Sequence, residues 1–581
     1  MSADVTIQSA IEQYQPPWLP KPAELKDVVV VIDPAGGGAR SANQRRLDDL
    51  ALLTGGHLYH LVRHAGGVPI MTRADDRPMP KTEAGTAAAL ETVCTRHGAD
   101  LAIAIEFAES KAGEVSSLAE GKLSRSLARC LAETTGVGIP GEECSASESA
   151  RALSAPAVGV CLSEPDHSAS RHHWQVYHRG CAERIHRGVA AFVHAERREL
   201  EAAQGRRGSA HGAKPARAVP HLPDLSWDEE LARATRRIWP EGDLPIERAA
   251  CFCDMYVRTA LSDRSMVYFE PRVSVDGDTV VVGGATNIAI MHETLADALR
   301  AVGIKNVRNE MRVLPEEGTL GDQRYGVCVA PMALTFAEPS EAAGLRSQLL
   351  YGEPILLLDR DQGYCLLHGG DGYAGWVRED CVRVVSADEF KRYTAARQGV
   401  LLRDVESADR RVVQGATLPI AAAASNKLTL MQPEGGTFDV NAGDVRVDDN
   451  SPAAAERISR ALALLYRPYV FGGVSPIGLD CSGLVRNVFA QTGLMMARDA
   501  AQQFLHGRLV ATRWHRDGIR PGDLLYFISK SGKIFHVGIA LSRTHFVHCA
   551  PPEVQINSLS KGDRLYSEYR AETFFAAKRV P

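Results

Sequence analysis

The chain has 581 residues, too many for one hydrophobic core, and its length predicts roughly three to five domains. Its 45% hydrophobic and 24% charged residues are typical of an ordinary soluble globular protein. Its 66 basic and 71 acidic residues give a formal net charge of −5, which argues against a surface built for nucleic acid.

The amino terminus, "MSADVTIQSAIEQYQPPWLPKP", belongs to a lead-in over 1–26 and lacks a basic start followed by an apolar run. No apolar stretch is long enough to span a bilayer, so we expect no signal peptide and no membrane span. The twelve cysteines are scattered and form no Cys-x-x-Cys, which favours reduced thiols over a disulfide framework. These features predict a cytoplasmic protein, or an envelope or secreted one if a leader has been removed.

Strand and helix patterns alternate over 27–203. The buried-type strand "DVVVVIDPAGGG" ends in a glycine turn, and a third such strand, "AVGVCLSE", covers 157–164. This alternation predicts an α/β layer domain with a mainly parallel sheet. The stretch that follows, 204–225, is rich in Gly, Pro, Ala and Arg and is interpreted as a linker.

The middle of the chain contains three smaller units. Residues 226–315 predict a small α/β piece with a hairpin turning at Asp276-Gly277-Asp278. Short strands separated by turns then predict two antiparallel β-barrels, over 324–385 and 386–450. The last unit, 452–581, begins with a helix and predicts an α+β domain, so the fold class is multi-domain α/β and α+β.

The stretch "LDCSGLVRNVF" places Cys481 at the predicted start of a helix. Unpaired backbone N–H groups and the helix dipole favour a thiolate there, so we expect a reactive thiol with a depressed pKa. In "KIFHVGIAL" the alternation directs His536 away from the apolar face, and a neighbouring strand in "THFVHCA" carries His548. Two antiparallel strands would bring these histidines together beside Cys481.

An ordered set of motifs supports this interpretation: "RPYVFGG", "LDCSGLV", "RDAAQQF", "RPGDLLYF", "FHVGIAL" and "FVHCA". Over about 452–581 the set resembles the NlpC-type family of papain-like cysteine peptidases, which cut bacterial cell-wall peptides. The resemblance implies Cys481 as nucleophile, His536 as general base and His548 as the orienting third residue, with no metal or other cofactor.

The same resemblance implies substrate contacts near the nucleophile. Tyr469 would line the oxyanion and substrate region, although a core aromatic is an equal alternative. Asp480 would either recognise a substrate amine or cap the helix, and the neighbouring Ser482 has the same ambiguity.

The segment 330–380, with "DGYAGWV", resembles bacterial Src-homology-3-like barrels. Barrels followed by an NlpC-type domain resemble the γ-D-glutamyl-L-diamino-acid endopeptidases, which process muropeptides with a free N-terminal L-alanine. In that family the first barrel supplies an acid and a tyrosine around the substrate amine. Glu338 and Tyr373 match this pair, with Glu353 as the alternative acid. The implied partner is the peptide L-Ala-γ-D-Glu linked to a diamino acid.

The strands of 27–203 resemble those of zinc-dependent N-acetylmuramoyl-L-alanine amidases, whose zinc ligands are two histidines and a glutamate. Here the ligand positions hold Gly36 or Gly37, Glu106 in place of the second histidine and, near the expected glutamate, Leu47; Glu164 alone matches the family, at its last acidic position. We therefore expect a degenerate, metal-free amidase fold used for binding or packing.

Three histidines at helical spacing form a further group in this region, and they fit a polar helix face better than a metal site. They are His57, His60 and His64.

Residues 264–314 resemble BON-type domains, which are thought to bind surfaces or partners. Because the front half is expected to be degenerate, two functional hypotheses other than a peptidase remain. One is a multi-domain scaffold or binding protein of the cell-wall pathway, and the other is a thiol acyltransferase acting on another peptide.

Overall fold

The structure is a computed structural model of the whole chain. It describes residues 3–34, 47–72, 83–108, 114–118, 122–136, 155–163, 171–208, 249–250, 252–254, 256–257, 265–301, 304–341, 343–407, 410–447 and 454–581. Gly36, Gly37 and Glu164, three positions of the predicted degenerate zinc site, lie outside these residues.

The front domain is an α/β layer around a five-stranded sheet of order β2-β1-β3-β5-β4. The pairs β1–β2, β1–β3 and β3–β5 are parallel, and only β4 is antiparallel, which confirms the predicted mainly parallel sheet. The helices are α1 (Ala3–Gln13), α2 (Leu47–His64), α3 (Glu83–His97), α4 (Lys122–Thr135) and α5 (Arg171–Gly208), and the strands β1 (Val29–Pro34), β2 (Val68–Met71), β3 (Leu101–Ala108), β4 (Glu114–Ser117) and β5 (Ala157–Ser163).

Helix α5 has 38 residues and runs into the region expected to be a linker. The prediction that the linker begins at residue 204 is wrong, because 204–208 continue the helix. Helix-forming residues in "RRELEAAQ" outweigh the glycines that follow them.

The next unit is a hairpin with a helix and two short parallel strands. It turns at Gly277, whose φ of 62° glycine adopts easily, which confirms the predicted hairpin. Trp376 of the following barrel packs against Ala285 and Leu314 of this unit. The elements are β6 (Phe269–Asp276), β7 (Thr279–Thr286), α6 (Ala289–Ala301), β8 (Val307–Asn309), β9 (Arg312–Val313) and α7 (Glu317–Leu320).

The first barrel is a seven-stranded antiparallel sheet of order β12-β11-β15-β14-β13-β10-β16. Its core contains Leu349, Ile355, Leu367 and Val377, each at most 1% exposed. The strands are β10 (Tyr325–Cys328), β11 (Met332–Phe336), β12 (Leu345–Leu350), β13 (Pro354–Asp361), β14 (Tyr364–His368), β15 (Ala374–Arg378) and β16 (Val382–Val385).

The second barrel contains a five-stranded sheet of order β22-β21-β20-β17-β23 and a separate hairpin. Its core includes Leu52 of α2, so the barrel also packs on the front domain. The elements are α8 (Ala387–Ala395), β17 (Gln398–Leu401), β18 (Val405–Ser407), β19 (Arg410–Val412), β20 (Thr417–Ala423), β21 (Lys427–Met431), β22 (Thr437–Asn441) and β23 (Val445–Arg446).

The last domain packs a helix against a six-stranded sheet of order β26-β31-β27-β28-β29-β30, antiparallel throughout. The elements are α9 (Ala454–Ala463), β24 (Val474–Ser475), β25 (Gly478–Leu479), α10 (Cys481–Ala490), α11 (Ala500–Gln503), β26 (Arg508–Thr512), β27 (Leu524–Ile528), β28 (Ile534–Ala540), β29 (His545–Ala550), β30 (Glu553–Ser558), α12 (Glu568–Thr573) and β31 (Phe574–Arg579).

The amino-terminal helix α1 joins the core of this last domain. Ile7, Ile11 and Tyr14 belong to the same buried cluster as Ile458 and Val485. The lead-in is therefore a structural part of a domain that begins some 450 residues later. Among the described helices, none is both long and apolar enough to cross a membrane.

Candidate active site

Cys481 is the first residue of α10, and Asp480 is its N-cap. The Asp480 carboxylate accepts a hydrogen bond from the Gly483 N–H at 2.7 Å, which satisfies one of the free donors of the first helical turn. Its other oxygen accepts from the Gly472 N–H at 2.9 Å. The nucleophile candidate is thus held at a well-fixed helix start.

The glycine after Cys481-Ser482 allows this helix to pack closely. A Cβ built on Gly483 would lie 2.0 Å from the Gly473 carbonyl oxygen, so any side chain would push the helix away from the "FGG" turn. The tripeptide Cys-Ser-Gly does not by itself indicate a function, but close packing explains the glycine at its third position.

Arg498 neutralises the charge of Asp480 in a buried ion pair. Its guanidinium donates to both carboxylate oxygens, at 3.0 and 2.5 Å, and to the Ser482 hydroxyl at 3.0 Å. Asp480 is 6% exposed and Arg498 is 2% exposed. These contacts give Asp480 and Ser482 the capping and positioning roles; direct contact of either side chain with a substrate stays a prediction.

The two histidines predicted to meet are in hydrogen-bond contact. His536 Nε2 lies 2.8 Å from His548 Nδ1, and His548 Nε2 lies 2.8 Å from Asn557 Oδ1. The Asn557 oxygen can only accept, so His548 Nε2 carries a proton, His548 Nδ1 accepts, and His536 donates through Nε2. This arrangement leaves His536 Nδ1 with the free basic lone pair.

Gly538 makes room for the second histidine. A Cβ built on Gly538 would lie 3.1 Å from the His548 Cβ and 2.9 Å from the Phe546 ring. The small residues that alternate with the apolar ones in "FHVGIAL" therefore leave space for His548, as the strand pattern predicted.

The Cys481 thiol lies against the strand that carries His536. The backbone N–H groups of Val537 and Ser482 favour the thiolate and lower the thiol pKa. Burial, the largest effect, and the negative charge of Asp480 outweigh them and raise the pKa of Cys481 to about 12. The expectation of a depressed pKa is therefore wrong, because the helix start is buried and its cap is a carboxylate.

His536, the predicted general base, is buried and uncharged. Burial, assisted by the positive charge of Arg570, holds the pKa of His536 well below its usual value, so the imidazole is neutral at pH 7. A neutral imidazole can take the thiol proton during attack, as a general base does.

Tyr469 is partly buried in the segment preceding the nucleophile. Burial and the negative charge of Asp480 raise the pKa of its phenol, so the hydroxyl remains a hydrogen-bond donor. The Tyr469 backbone N–H donates to the Pro552 carbonyl at 2.8 Å. Its predicted role at the oxyanion remains a prediction, and the structure supplies a fixed phenol near Asp480 and Cys481.

Histidines of the front domain hold this segment from behind. His57 and His178 each place Nε2 on the Tyr466 carbonyl oxygen, at 3.0 and 2.8 Å, and His60 Nε2 lies 2.6 Å from the Tyr469 carbonyl oxygen. Tyr466 has a φ of 67°, which is unfavourable for a non-glycine residue, so the paired histidines stabilise a strained turn. The predicted polar helix face is an interdomain contact.

This contact predicts a stability that falls with acidification. Burial lowers the pKa of His60 to about 4, whereas an unfolded histidine titrates near 6.5. Between these values the unfolded chain binds more protons, so the free energy of unfolding falls by up to about 1 kcal/mol per pH unit as the pH drops through this window. Calorimetric unfolding temperatures from pH 7 to pH 4 should show a smaller decline in His60→Gln than in the wild type.

The matched control is His506→Gln, because His506 is exposed in the last domain. Its pH slope should equal that of the wild type. An unchanged slope in His60→Gln would refute the role of this histidine.

The predicted amine-binding pair lies at one end of the first barrel. Phe336 pairs with Trp376, so the antiparallel strands β11 and β15 bring Glu338 and Tyr373 to the same end. Glu338 is exposed, and the Tyr373 hydroxyl lies 3.4 Å from Asp499 Oδ2 of the last domain. The pair therefore borders the domain that carries Cys481.

The alternative acid, Glu353, has different surroundings. Its carboxylate accepts from the backbone N–H groups of Leu350 and Gly370, at 3.0 and 2.9 Å. It lines a cavity of about 250 Å³ between the barrels and α10, to which Cys481 does not contribute. Burial and the charge of Asp371 raise the pKa of Glu353 to about 7.

Sequence reasoning missed Asn557 and Arg498. Asn557 lies on β30, beside His548, and no motif marks it. Arg498 belongs to the motif "RDAAQQF", but the motif assigns it no role. It directly precedes Asp499, the N-cap of α11, and this position does not indicate an ion pair with Asp480.

Comparison with known proteins found two family matches, one in the last domain and one in the first barrel. The NlpC/P60 family matches residues 466–574, and the bacterial dipeptidyl-peptidase Sh3 domain matches 336–381. The chain is 22% identical over 259 residues to a gamma-D-glutamyl-L-lysine dipeptidyl-peptidase of Bacillus subtilis (strain 168), covering 42% of this chain and 82% of the relative.

A second relative is the probable endopeptidase NlpC of Escherichia coli (strain K12), 32% identical over 118 residues, with 19% of this chain and 69% of the relative covered. Among solved structures, an NlpC/P60 family protein from Bacillus cereus ATCC 10987 shows 19% identity and a TM-score of 0.39, covering 44% of this chain and all (100%) of the other. The amidase-like and BON-like folds of the front half stay predictions.

A cysteine at a helix start and a neutral imidazole on the strand packed against that helix are groups that a cysteine peptidase uses, and the sequence matches are to a peptidase family. The chain belongs to the NlpC/P60 family of cell-wall peptidases and is a cysteine endopeptidase that carries a bacterial Src-homology-3 domain.

Proposed function

We propose that this chain hydrolyses the γ-D-glutamyl–diamino acid bond of cell-wall peptides whose N-terminal L-alanine is free. The observation that carries the proposal is the relay from His536 through His548 to Asn557, which leaves one basic nitrogen for the Cys481 thiol. The name of the Bacillus subtilis relative, whose match extends well beyond the peptidase domain, supports the γ-D-glutamyl bond.

The proposed chemistry uses side chains, backbone N–H groups and water. The Cys481 sulfur attacks the γ-carbonyl carbon while His536 Nδ1 takes the thiol proton. Backbone N–H groups near the helix start stabilise the oxyanion. The C–N bond then breaks, His536 gives its proton to the leaving amine, and a water deprotonated by His536 hydrolyses the thioester.

Selection of the free amine is assigned to the first barrel. Glu338 is exposed and Tyr373 contacts Asp499, so a substrate ammonium at this border can meet a carboxylate and a phenol. Asp480 contributes little charge to it, because Arg498 already neutralises that carboxylate. The first barrel thus recognises the substrate amine, and the last domain carries out the chemistry.

Mass spectrometry of L-Ala-γ-D-Glu-diaminopimelate after incubation with the protein tests the proposal. We expect release of L-Ala-γ-D-Glu from the free peptide and at least about tenfold less from the N-acetylated peptide, since acetylation removes the ammonium. Equal cleavage of both peptides would keep the peptidase but overturn Glu338 and Tyr373 as amine ligands. Cleavage of neither would contradict the proposed substrate.

A further inference from the structure

Arg570 is a partly buried cation in α12 that no side chain of the described residues neutralises. Its Nη1 is buried and has no hydrogen-bond acceptor within the described residues. Among those residues, no carboxylate lies within ion-pair distance of its guanidinium. Burying an unpaired guanidinium is costly, so its position calls for a compensating contact.

Three aromatic rings surround the guanidinium without satisfying its N–H groups. Its carbon lies 5.3 Å from the ring centroid of Tyr569, 5.6 Å from that of Phe527 and 5.9 Å from that of Phe535. Such cation–π contacts stabilise a charge but leave its in-plane donors free. The contact that is missing is therefore a planar, anionic acceptor.

The same rings connect Arg570 to the catalytic base. The His536 ring centroid lies 5.4 Å from Phe527 and 6.2 Å from Phe535. The positive charge of Arg570 contributes to the lowered pKa values of His536 and His548. Arg570 therefore lies beside the reacting groups and not on a remote surface.

Two of the three rings around Arg570 are open to solvent. Tyr569 is 58% exposed and Phe535 is 36% exposed. A small anion could therefore reach the guanidinium from solvent without unfolding α12. The amine-side residues Tyr373 and Asp499 border the first barrel instead, and Arg570 contacts neither of them.

We infer that Arg570 binds the carboxylate of the leaving amino acid, the one on the carbon attached to the scissile nitrogen. His536 delivers its proton to that nitrogen, so the leaving residue lies next to the imidazole and within the same group of rings. A guanidinium pairs with a carboxylate through two parallel hydrogen bonds, which matches the free donors of Arg570. The inference rests on the proposed function.

This role makes the enzyme selective for peptides that end at the diamino acid. A following residue or an amide would replace the carboxylate by a neutral carbonyl and leave Arg570 unpaired. Because the carboxylate keeps its charge through the reaction, the contact is made equally in the bound substrate and in the transition state and should act mainly through KM.

The test compares L-Ala-γ-D-Glu-L-Lys with its C-terminal carboxamide, using lysine because it has no second carboxylate. For the wild type we expect KM to be about 10- to 100-fold lower for the free acid, with kcat changed much less. In Arg570→Gln the two KM values should converge, and Arg570→Lys should restore part of the preference. Arg543→Gln is the matched control, since Arg543 is 64% exposed and its one ion pair within the described part of the chain is with Asp517.

Several results would overturn the inference. If the wild type cleaves acid and carboxamide alike, the proposed function stands and Arg570 loses its role, with no variant needed. If a peptide with an amidated D-glutamyl carboxylate shows the Arg570-dependent loss instead, the cation serves the acyl side. If the wild type cleaves no peptide, the proposed function and this inference fail together.

Discussion

Cys481→Ser is expected to lower kcat/KM on the γ-D-glutamyl tripeptide by at least about 10⁴-fold. The hydroxyl is a poor nucleophile beside His536, whose lowered pKa makes it a weak base. The thiol, even with its pKa raised by burial, loses its proton far more readily than a serine hydroxyl. Mass spectrometry of the product released over hours can measure a rate this far below that of the wild type.

Cys549→Ser is the control for this substitution. Cys549 is fully buried on the strand of His548, and its thiol donates to the Leu479 carbonyl at 3.0 Å, a bond that a hydroxyl can keep. Its kcat/KM should remain within a few-fold of the wild-type value. Residual activity of a few per cent or more in Cys481→Ser would exclude Cys481 as the nucleophile.

Arg498→Met is expected to destabilise the last domain by about 3–5 kcal/mol. The substitution leaves the buried Asp480 carboxylate without its ion pair, and the Ser482 and Ser347 hydroxyls lose a donor. Because Asp480 caps the helix of Cys481, activity should also fall. Calorimetric unfolding of the full chain measures this loss of stability.

The double variant Asp480→Asn with Arg498→Met separates charge from packing. Asparagine still caps the helix, and no buried charge remains, so the double variant should be more stable than Arg498→Met alone. If Arg498→Met unfolds at the wild-type temperature, the ion pair contributes nothing measurable and Asp480 is free for another role.

The proposed catalytic pair could be predicted from sequence because its signals are local. The start of a helix at Cys481 and the alternation around His536 follow from short-range pattern, and the ordered motifs specify their partners. The hairpin at Gly277 and the parallel front sheet were predictable for the same reason.

Other features depend on contacts between distant segments, which no single-sequence pattern encodes. Asn557 reaches His548 only through the pairing of β29 and β30, and Tyr14 stacks on Tyr466 across more than 450 residues. The pKa of Cys481 was predicted in the wrong direction because burial depends on the packing of whole domains around the helix start.

The front domain therefore has a structural part in the site whether or not it binds anything itself. Arg179 and the fully buried Glu553 form an ion pair at 3.0 Å between the front domain and β30. With the histidines on the Tyr466 and Tyr469 carbonyls, this pair fixes the segment that borders the nucleophile. This role fits the predicted use of the front domain for packing.

The proposed thioester between Cys481 and the γ-carbonyl of D-glutamate can be trapped by quenching the reaction with acid during turnover. Proteolytic peptides from a reaction with excess L-Ala-γ-D-Glu-diaminopimelate would be analysed by mass spectrometry. We expect L-Ala-γ-D-Glu attached to the peptide that contains Cys481, and no adduct in Cys481→Ala. Accumulating product with an unmodified Cys481 peptide, or an adduct on another residue, would contradict it.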